Sequence, residues 1–382
     1  MTQTGSGHVD VVIAGAGVVG AACAWQLAQA GLSVGIVDAH FVASGATAAG
    51  MGHIVAMDDS EAQFRLTAWS RQLWRELAKE LPAAAEYREC GTLWVAADDE
   101  EMAQAELKRD YALAHGVEAT VLSAKQLAHL EPQLRPDLQG GLLVPGDGVV
   151  YAPLAARWML ARAMQRGAVY RAGVAIESLQ DSEARLSDGS RWSAKALVNA
   201  AGIDAARLSP GLPIQPRKGH LAITDRAPGF ISHQIVELGY LKSAHSQRTD
   251  SVAFNLCPRP TGQILIGSSR QFGVADAAVE RPMLEAMLRR ALTYMPALRE
   301  LSAIRCWAGF RAATPDNLPL IGPHPKLPGV WVAAGHEGLG ITTCLGTARL
   351  LSAMITGNEC AIPPAPYLPS RFDVQERVSA HE

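Results

Sequence analysis

Cysteine is scarce in this sequence, and its spacing excludes several kinds of site. The 382 residues include six cysteines, and none of them forms a CxxC pair. Thiolate zinc and iron–sulfur sites need closely spaced cysteines, and a disulfide framework is typical of short secreted chains. We therefore expect reduced thiols in a cytoplasmic protein, without a metal site. The six positions are Cys23, Cys90, Cys257, Cys306, Cys344 and Cys360.

An excess of basic charge and a long apolar run are also missing. Lysine and arginine number 34 against 37 aspartates and glutamates, so the formal net charge is −3 and nothing indicates a nucleic-acid partner. No run reaches the roughly 18–20 apolar residues of a membrane-spanning helix, and the first residues are too polar for a signal peptide. These absences favour a cytoplasmic globular protein and leave open a peripheral contact with a membrane surface.

The most informative segment that is present covers residues 9–38. An apolar run leads into the glycine sequence GAGVVG at 15–20, then a helical stretch, then a second apolar run that ends at Asp38. This is the order of a dinucleotide-binding βαβ unit. Gly15 permits the tight turn, Gly17 lets a pyrophosphate approach the backbone, and Gly20 lets the helix pack on the strand. The helix N-terminus favours phosphate, and a carboxylate at Asp38 can accept hydrogen bonds from a ribose.

The length and the later patterns predict a second domain. A chain of 382 residues exceeds the usual size of one hydrophobic core. Residues 218–304 alternate strand-like segments with turns, as an antiparallel sheet does. We expect an α/β fold, with a Rossmann-like cofactor domain interleaved with an antiparallel-sheet substrate domain of α+β type. The expected bounds are 9–83, 147–217 and 305–382 for the first domain, and 84–146 and 218–304 for the second.

Three more segments favour FAD over a nicotinamide cofactor. Residues 43–52 (ASGATAAGMG) form a loop of small residues soon after Asp38, in which Ser44 and Thr47 carry hydroxyl groups. Residues 196–202 (ALVNAAG) read as a buried strand that ends in small residues. Residues 335–341 (GHEGLGI) read as a second glycine-rich turn between a strand and a helix. A second helix N-terminus could direct its dipole at an electron-accepting group.

Together with WAGFRAATPDNLPLIGP at 307–323, these segments resemble the D-amino acid oxidase/glycine oxidase family of FAD-dependent amine oxidoreductases. The resemblance spans nearly the whole chain in the same order. Within the family, ATAAGMGH at 46–53 is similar to the flavoprotein (beta) subunits of bacterial D-hydroxyproline dehydrogenases. Glycine oxidases and the flavoprotein subunit of hydrogen cyanide synthase look next most similar.

The resemblance implies a set of FAD-binding residues. The adenosine and pyrophosphate would lie by the first glycine turn, the acidic strand end, Val174 and the end of the 196–202 strand. The 43–52 loop would line the phosphate, ribityl and flavin region, and the GHEGLGI turn would lie by the isoalloxazine. The residues are Gly15, Gly17, Val18, Val19, Gly20, Asp38, Ala39, Ser44, Gly45, Ala46, Thr47, Ala48, Gly50, Met51, Val174, Ala200, Ala201, Gly202, Gly335, His336, Gly338, Leu339, Gly340 and Ile341.

The resemblance also implies three residues that act on substrate. Arg311 matches the arginine that binds the substrate carboxylate, for which a planar guanidinium is well suited. Its alternative is a structural ion pair, for instance with Asp316. His53 is either a polar group of the pocket or a core histidine, and Tyr240 is a further candidate. Arg305 and the ring of His336 are expected to be structural.

The implied activity is oxidation of the C–N bond of a small amino or imino acid, D-hydroxyproline or D-proline, by hydride transfer to flavin N5. Electrons would pass to a partner subunit or a quinone. The alternatives are a glycine- or sarcosine-type amine oxidase that uses oxygen, and an electron-relay flavin subunit of a larger complex. Monomeric sarcosine oxidases carry a flavin-tethering cysteine shortly before the TPD sequence. Residues 309–316 have none, so we expect non-covalent FAD.

Overall fold

A computed structural model describes residues 7–239 and 250–372 of the chain. Its strands form two eight-stranded sheets and one two-stranded ribbon, with helices packed on the sheets, so the predicted α/β class is confirmed. The strands are β1 (Gly7–Ala14), β2 (Val34–Asp38), β3 (His53–Ile54), β4 (Thr92–Ala96), β5 (Thr120–Ser123), β6 (Gly140–Val144), β7 (Gly148–Val149), β8 (Val169–Ala172), β9 (Ile176–Gln180), β10 (Glu183–Leu186), β11 (Arg191–Asn199), β12 (Gln215–Thr224), β13 (Gln234–Glu237), β14 (Ser251–Pro258), β15 (Ile264–Arg270), β16 (Ala303–Ala313), β17 (Leu320–Pro323) and β18 (Val330–Ala334).

The helices cover the parallel sheet and flank the antiparallel one. Short 3₁₀ turns lie at 83–85, 202–204, 296–300 and 365–367. Within the two described ranges, no helix has both the length and the apolar character needed to cross a membrane. The α-helices are α1 (Val18–Gln29), α2 (Ala46–Ala49), α3 (Glu61–Leu77), α4 (Asp99–Ala114), α5 (Ala124–Leu130), α6 (Ala152–Gln165), α7 (Ala205–Leu208), α8 (Arg281–Tyr294) and α9 (Gly340–Thr356).

The first sheet brings four chain segments to one edge. Its order is β17-β18-β11-β1-β2-β8, with β9 and β10 attached at β11. The neighbours β18, β11, β1, β2 and β8 are all parallel. The carboxyl ends of parallel strands meet at the same edge, which is where ligands bind in α/β sheets. The residues that follow β1, β2, β11 and β18 therefore lie together.

Helix α1 packs directly on this sheet because its sequence is rich in alanine. Eight of its residues are buried, among them Ala21, Ala22, Cys23 and Ala24, and they join one core cluster with residues of β1, α6 and α9. Small side chains let the helix approach the strands and the neighbouring helices closely. The N-terminus of α1 is thereby fixed at the edge where the strands end.

The second sheet faces the loop that carries residues 43–53. Its order is β16-β12-β15-β14-β13-β4-β6-β5, and its pairs are antiparallel except for the parallel pair of β4 and β13. Strand β16 pairs along its length with β12, although the sequence assigned residues from 305 onward to the cofactor domain. We propose the two-domain division with this boundary moved to residue 313, because β16 belongs to the second sheet.

Candidate active site

The glycine turn after β1 allows two close approaches of backbone and leaves space at a third glycine. Gly15 has φ of +98°, and a Cβ there would stand 2.6 Å from the Ala200 carbonyl oxygen. A Cβ on Gly20 would stand 1.9 Å from the Gly15 carbonyl oxygen. At Gly17 the nearest atom to a Cβ would be the Thr47 hydroxyl, at 3.4 Å. The backbone packing of the turn therefore requires glycine at positions 15 and 20. At Gly17 the missing side chain instead leaves space at the start of α1.

The N-terminus of α1 is only partly used by the protein. The Val18 N–H donates to Thr47 Oγ1 at 2.9 Å. One of the N–H groups that we expected to be free for phosphate therefore already has an acceptor within the protein. Gly17 itself has no side chain with which to cap the helix, and Val19 is half-buried beside it. The backbone at Gly17 and Val19 and the positive end of the helix can still favour an anion.

Asp38 lies at the end of β2, level with the glycine turn. Its Oδ2 accepts the Ala16 N–H at 2.7 Å and its Oδ1 accepts the His40 N–H at 2.8 Å. Each carboxylate oxygen has a further lone pair for a hydroxyl donor. The Val174 N–H donates to the Asp38 main-chain carbonyl at 3.2 Å, so Val174 lies beside Asp38, and the exposed Ala39 follows Asp38 in the chain.

The strand end at Ala200–Gly202 closes the other side of the glycine turn. The Ala200 N–H donates to the Ala14 carbonyl at 2.9 Å, and the Ala201 N–H donates to Asn199 Oδ1 at 3.3 Å. Gly202 has φ of +60°, and a Cβ there would have no atom within 4 Å. The small residues of this segment therefore border the same edge as Gly15 and Asp38.

The loop of small residues lies between the second sheet and the start of α9. A Cβ on Gly50 would stand 2.8 Å from Ile341 Cδ1, and the Met51 sulfur would be 2.9 Å from a Cβ on Gly267 in β15. A cavity of about 320 Å³ lies beside the loop, with residues of the second sheet such as Trp307 on its other side. The loop residues that line this cavity are Ser44, Gly45, Ala48, Ala49, Gly50 and Met51.

The second glycine turn leads into α9 as predicted. Gly335 has φ of +76°, and α9 begins at Gly340 with no side chain of the described residues capping Leu339. A Cβ on Gly340 would be 3.9 Å from Val19 Cγ2, so the first turns of α1 and α9 lie near each other. The His336 ring bonds to Thr347 Oγ1 at 3.0 Å, and burial lowers its pKa to about 4.

Arg311 extends from β16 along the face of the second sheet that meets the loop. Its Nη1 donates to the Ser269 carbonyl at 3.0 Å, and a Cβ on Gly338 would be 3.7 Å from its Nε. Asp316, the example given for a structural ion pair of Arg311, instead binds Arg371 at 2.7 and 3.0 Å. The guanidinium of Arg311 thus lies between the second sheet and the GHEGLGI turn.

Sequence reasoning missed two charged residues beside Arg311. Glu337 lies in the turn, and its Oε1 is 3.0 Å from Nη1 of Arg217, which is directly opposite Arg311 in the β12–β16 register. Burial raises the pKa of Glu337, but the charges of Arg311, Arg270 and Arg217 outweigh it and hold that pKa below its usual range. The only sequence signal was an acidic residue inside a glycine-rich turn.

His53 lies where the loop passes into β3. Its carbonyl accepts the Thr342 hydroxyl at 2.9 Å, and its buried Nε2 has no partner among the described residues. Burial lowers the pKa of the ring to about 4, so the imidazole is neutral at pH 7. Arg305, which was expected to be structural, is exposed and lies over the Trp307 ring at 5.5 Å. Tyr240, the third candidate for contact with substrate, is outside the described residues.

A buried ion pair holds the segment after His53 in place. Asp147 accepts from Arg71 at 2.7 Å, from Thr92 at 2.7 Å and from the Ala56 N–H at 3.2 Å. Asp147 is fully buried, and Arg71 is 8 % exposed. Since these groups come from α3, from β4 of the second sheet and from the segment after β3, the carboxylate links these three elements.

These features fit a bound FAD. Two helix N-termini whose N-cap residues make no side-chain cap, an acidic strand end and a loop of small residues converge at one edge of the sheet. The buried Nε2 of His53 offers a hydrogen-bonding group that the described residues leave unused. In ranges 7–239 and 250–372, no group of three or more His, Cys, Asp and Glu could hold a metal ion, and all six cysteines are free.

Comparison with known proteins agrees with this geometry. The family model for FAD-dependent oxidoreductases of the DAO type matches residues 10–354. Glycine oxidase from Geobacillus kaustophilus is 31 % identical over 378 residues, which cover 94 % of this chain and 96 % of that protein. The crystal structure of glycine oxidase from that organism has a TM-score of 0.86, with 27 % identity, over 96 % of this chain and 99 % of its own.

Another relative is named as a subunit of a larger enzyme. Hydrogen cyanide synthase subunit HcnC from Pseudomonas aeruginosa is 27 % identical over 414 aligned positions, which cover 95 % of this chain and 96 % of that protein. The family assignment rests on the family model that matches residues 10–354 and on the 31 % sequence identity with glycine oxidase. The chain belongs to the DAO family of FAD-dependent oxidoreductases, with FAD as its cofactor.

Proposed function

We propose that this protein is a dehydrogenase that oxidises the C–N bond of a D-configured imino acid, D-hydroxyproline or D-proline, and passes the electrons to a partner subunit or a quinone. The observation that carries the proposal is the position of Arg311. Its guanidinium lies between Gly219 on the second sheet and Gly338 in the turn that starts α9. This is where the loop, the turn and the second sheet meet.

Arg311 binds the substrate carboxylate in this proposal. A planar guanidinium forms two parallel hydrogen bonds to a carboxylate, which fixes both position and orientation. The Ser269 carbonyl holds Nη1 from the sheet side, so the guanidinium is oriented before substrate arrives. Holding the reacting carbon in one orientation supplies a large share of the rate enhancement.

The other groups of the site support the amine end of the substrate. FAD, when bound, accepts two electrons and the hydrogen from the carbon next to the amine. The uncapped N-terminus of α9 favours negative charge nearby through its N–H groups and dipole. His53 is neutral at pH 7 and its Nε2 can accept a hydrogen bond from the amine. No acid or base is needed if the amine binds without its proton.

The preference for D-imino acids rests on residues 46–53, which resemble the flavoprotein subunits of D-hydroxyproline dehydrogenases. The name of HcnC supports a role in a multi-subunit enzyme. We also propose a cytoplasmic location, supported by the six free cysteines, and FAD bound without a covalent link.

A second candidate is an amine oxidase that acts on glycine or sarcosine and uses oxygen. The 31 % identity with glycine oxidase favours it. An electron-relay subunit is the third candidate, which the HcnC relationship favours. The three differ in what reduces the flavin and in what reoxidises it.

Anaerobic reduction of the bound flavin tests the proposal. We expect D-hydroxyproline and D-proline to bleach the absorbance near 450 nm faster than their L-isomers, sarcosine or glycine. Reoxidation should be slow in air and fast with an artificial dye or a quinone. Faster reduction by glycine or sarcosine, with stoichiometric peroxide, would replace this proposal by the oxidase, and no reduction by any amine would favour the relay subunit.

A further inference from the structure

Glu337 occupies a backbone conformation that favours glycine. Its φ is +50°, in the left-handed region, and its N–H donates to the Ala312 carbonyl at 2.8 Å. Residues other than glycine are uncommon there, and such strain persists where the side chain has a use. The turn has glycine at 335, 338 and 340 but not at this position. We therefore expect the carboxylate of Glu337 to make interactions that offset the free-energy cost of this backbone conformation.

The carboxylate forms its ion pair with Arg217, and the charges of Arg311 and Arg270 act on it as well. Its Oε1 is 3.0 Å from Arg217 Nη1, and both side chains are 10 % exposed. Its Oε2 accepts the N–H of Gly338. Buried charges of opposite sign in this geometry form a strong pair, and removing one partner leaves the other uncompensated.

Arg217 is otherwise arranged like a receptor for an anion. It lies directly opposite Arg311 on the neighbouring antiparallel strand, so both side chains project from the same face of the sheet. Its guanidinium lies 5.0 Å from the centre of the Phe272 ring. Its Nε is buried and has no acceptor among the described residues. The guanidinium groups of Arg217 and Arg311 thus face one site, and Glu337 forms its ion pair with Arg217.

We propose that Glu337 determines specificity by occupying Arg217, so that the site accepts amines with one carboxylate and rejects amines with two. The proposal rests on the proposed role of Arg311 as the carboxylate-binding residue. A second substrate carboxylate near Arg217 meets the negative charge of Glu337 in a buried environment. Without that charge, Arg217 and Arg311 bind the two carboxylates of one ligand.

Ligand titrations of the FAD-loaded protein test this without turnover. The probes are pyrrole-2-carboxylate and pyrrole-2,5-dicarboxylate, which differ by one carboxylate, and the flexible pair butyrate and glutarate. Binding is followed by the change in flavin absorbance. The variants are Glu337→Gln and Glu337→Asn, since asparagine tolerates the left-handed conformation. We expect the ratio of dicarboxylate to monocarboxylate affinity to rise by about 10- to 100-fold, the worth of one charge-assisted contact.

A matched control is available elsewhere in the chain. Glu285 pairs with the exposed Arg281 at 2.7 Å, away from the cavity beside the loop. Glu285→Gln should leave the affinity ratio unchanged. The double variant Arg217→Met/Glu337→Gln should lose the gain in dicarboxylate affinity, because the second guanidinium is gone.

An unchanged ratio in both Glu337 variants would overturn this inference alone, provided that the wild type binds monocarboxylates and Arg311→Met does not. Loss of FAD from both variants would assign Glu337 a structural role and also overturn it. If Arg311→Met binds monocarboxylates as well as the wild type does, the proposed function fails, and this inference fails with it.

Discussion

The guanidinium of Arg311 lies flat against Gly219, on the adjacent strand β12. A Cβ at Gly219 would stand 2.5 Å from Arg311 Nη1 and 2.9 Å from Cζ. The absence of a side chain at this one position lets the arginine lie on the sheet and reach the Ser269 carbonyl. The orientation of Arg311 therefore depends on Gly219 as well as on its own hydrogen bond.

Gly219→Ala should displace Arg311 while FAD stays bound. Because the new methyl group overlaps the guanidinium, we expect KM for the carboxylate substrate to rise about tenfold or more, with a smaller change in kcat. Steady-state kinetics and the flavin content of the purified variant measure the two effects. Gly211→Ala is the control, since Gly211 is exposed with φ of +94°, so that change strains the backbone away from the site. Equal KM values for both variants would contradict the assigned contact.

FAD should be released by acid denaturation. A Cβ on Gly309 would stand 2.4 Å from Ala49 Cβ, so this position cannot hold a tethering side chain without a shift. Cys306, the nearest cysteine, packs against the core on the opposite face of the second sheet. Precipitation with trichloroacetic acid should give a yellow supernatant and a colourless pellet, in the wild type and in Cys306→Ser alike. A yellow pellet would refute non-covalent binding.

Burial of His336 should make the fold sensitive to acid. Its pKa is about 4 in the folded protein against an ordinary value of 6.5, so the unfolded state binds the proton more tightly. This contribution is complete above pH 6.5 and is lost as the pH falls from there towards 4. Between pH 7.5 and pH 5 it amounts to about 2 kcal/mol.

Urea unfolding at these two pH values measures that difference. His336→Gln should lose less stability on acidification than the wild type, and the exposed control His129→Gln should behave like the wild type. Identical pH dependence in all three proteins would show that His336 does not carry the effect.

Asp147→Asn should destabilise the contact between the domains. The change leaves the buried guanidinium of Arg71 without its counter-charge, which typically costs about 3–5 kcal/mol. It also weakens the hydrogen bond to the Ala56 N–H, so we expect weaker FAD binding. Asp137→Asn is the matched control, because Asp137 is 69 % exposed in its pair with Arg135. Equal unfolding free energies for the two variants would contradict the role of Asp147.

The glycine turns and helix starts of the cofactor site could be predicted from the sequence. Turn-forming residues and the periodicity of apolar residues both depend only on positions close together in the chain. The positive φ of Gly15, the close approach at Gly20 and the start of α9 at Gly340 follow from residues only a few positions apart. Asp38 at the end of β2 was predicted by the same βαβ spacing. Their assignment to parts of FAD remains a prediction.

Contacts between residues far apart in the chain could not be predicted from the sequence. Arg217 and Arg311 are far apart in sequence, and only the register of β12 with β16 brings them together. The interaction of Thr47 with the α1 N–H, and the buried position of Asp147, likewise depend on tertiary packing. The same register explains why β16 lies in the second sheet although its sequence leads directly into the last part of the cofactor domain.

The most direct test is flavin reduction by D-hydroxyproline in Arg311→Met, with Arg281→Met as control. Arg281 is on helix α8 and its side chain is 88 % exposed, so its loss should change little. The account predicts that Arg311→Met keeps its FAD and loses about 30- to 1000-fold in kcat/KM, the equivalent of roughly 2–4 kcal/mol for a charge-assisted pair. A value within about threefold of the wild type would contradict it.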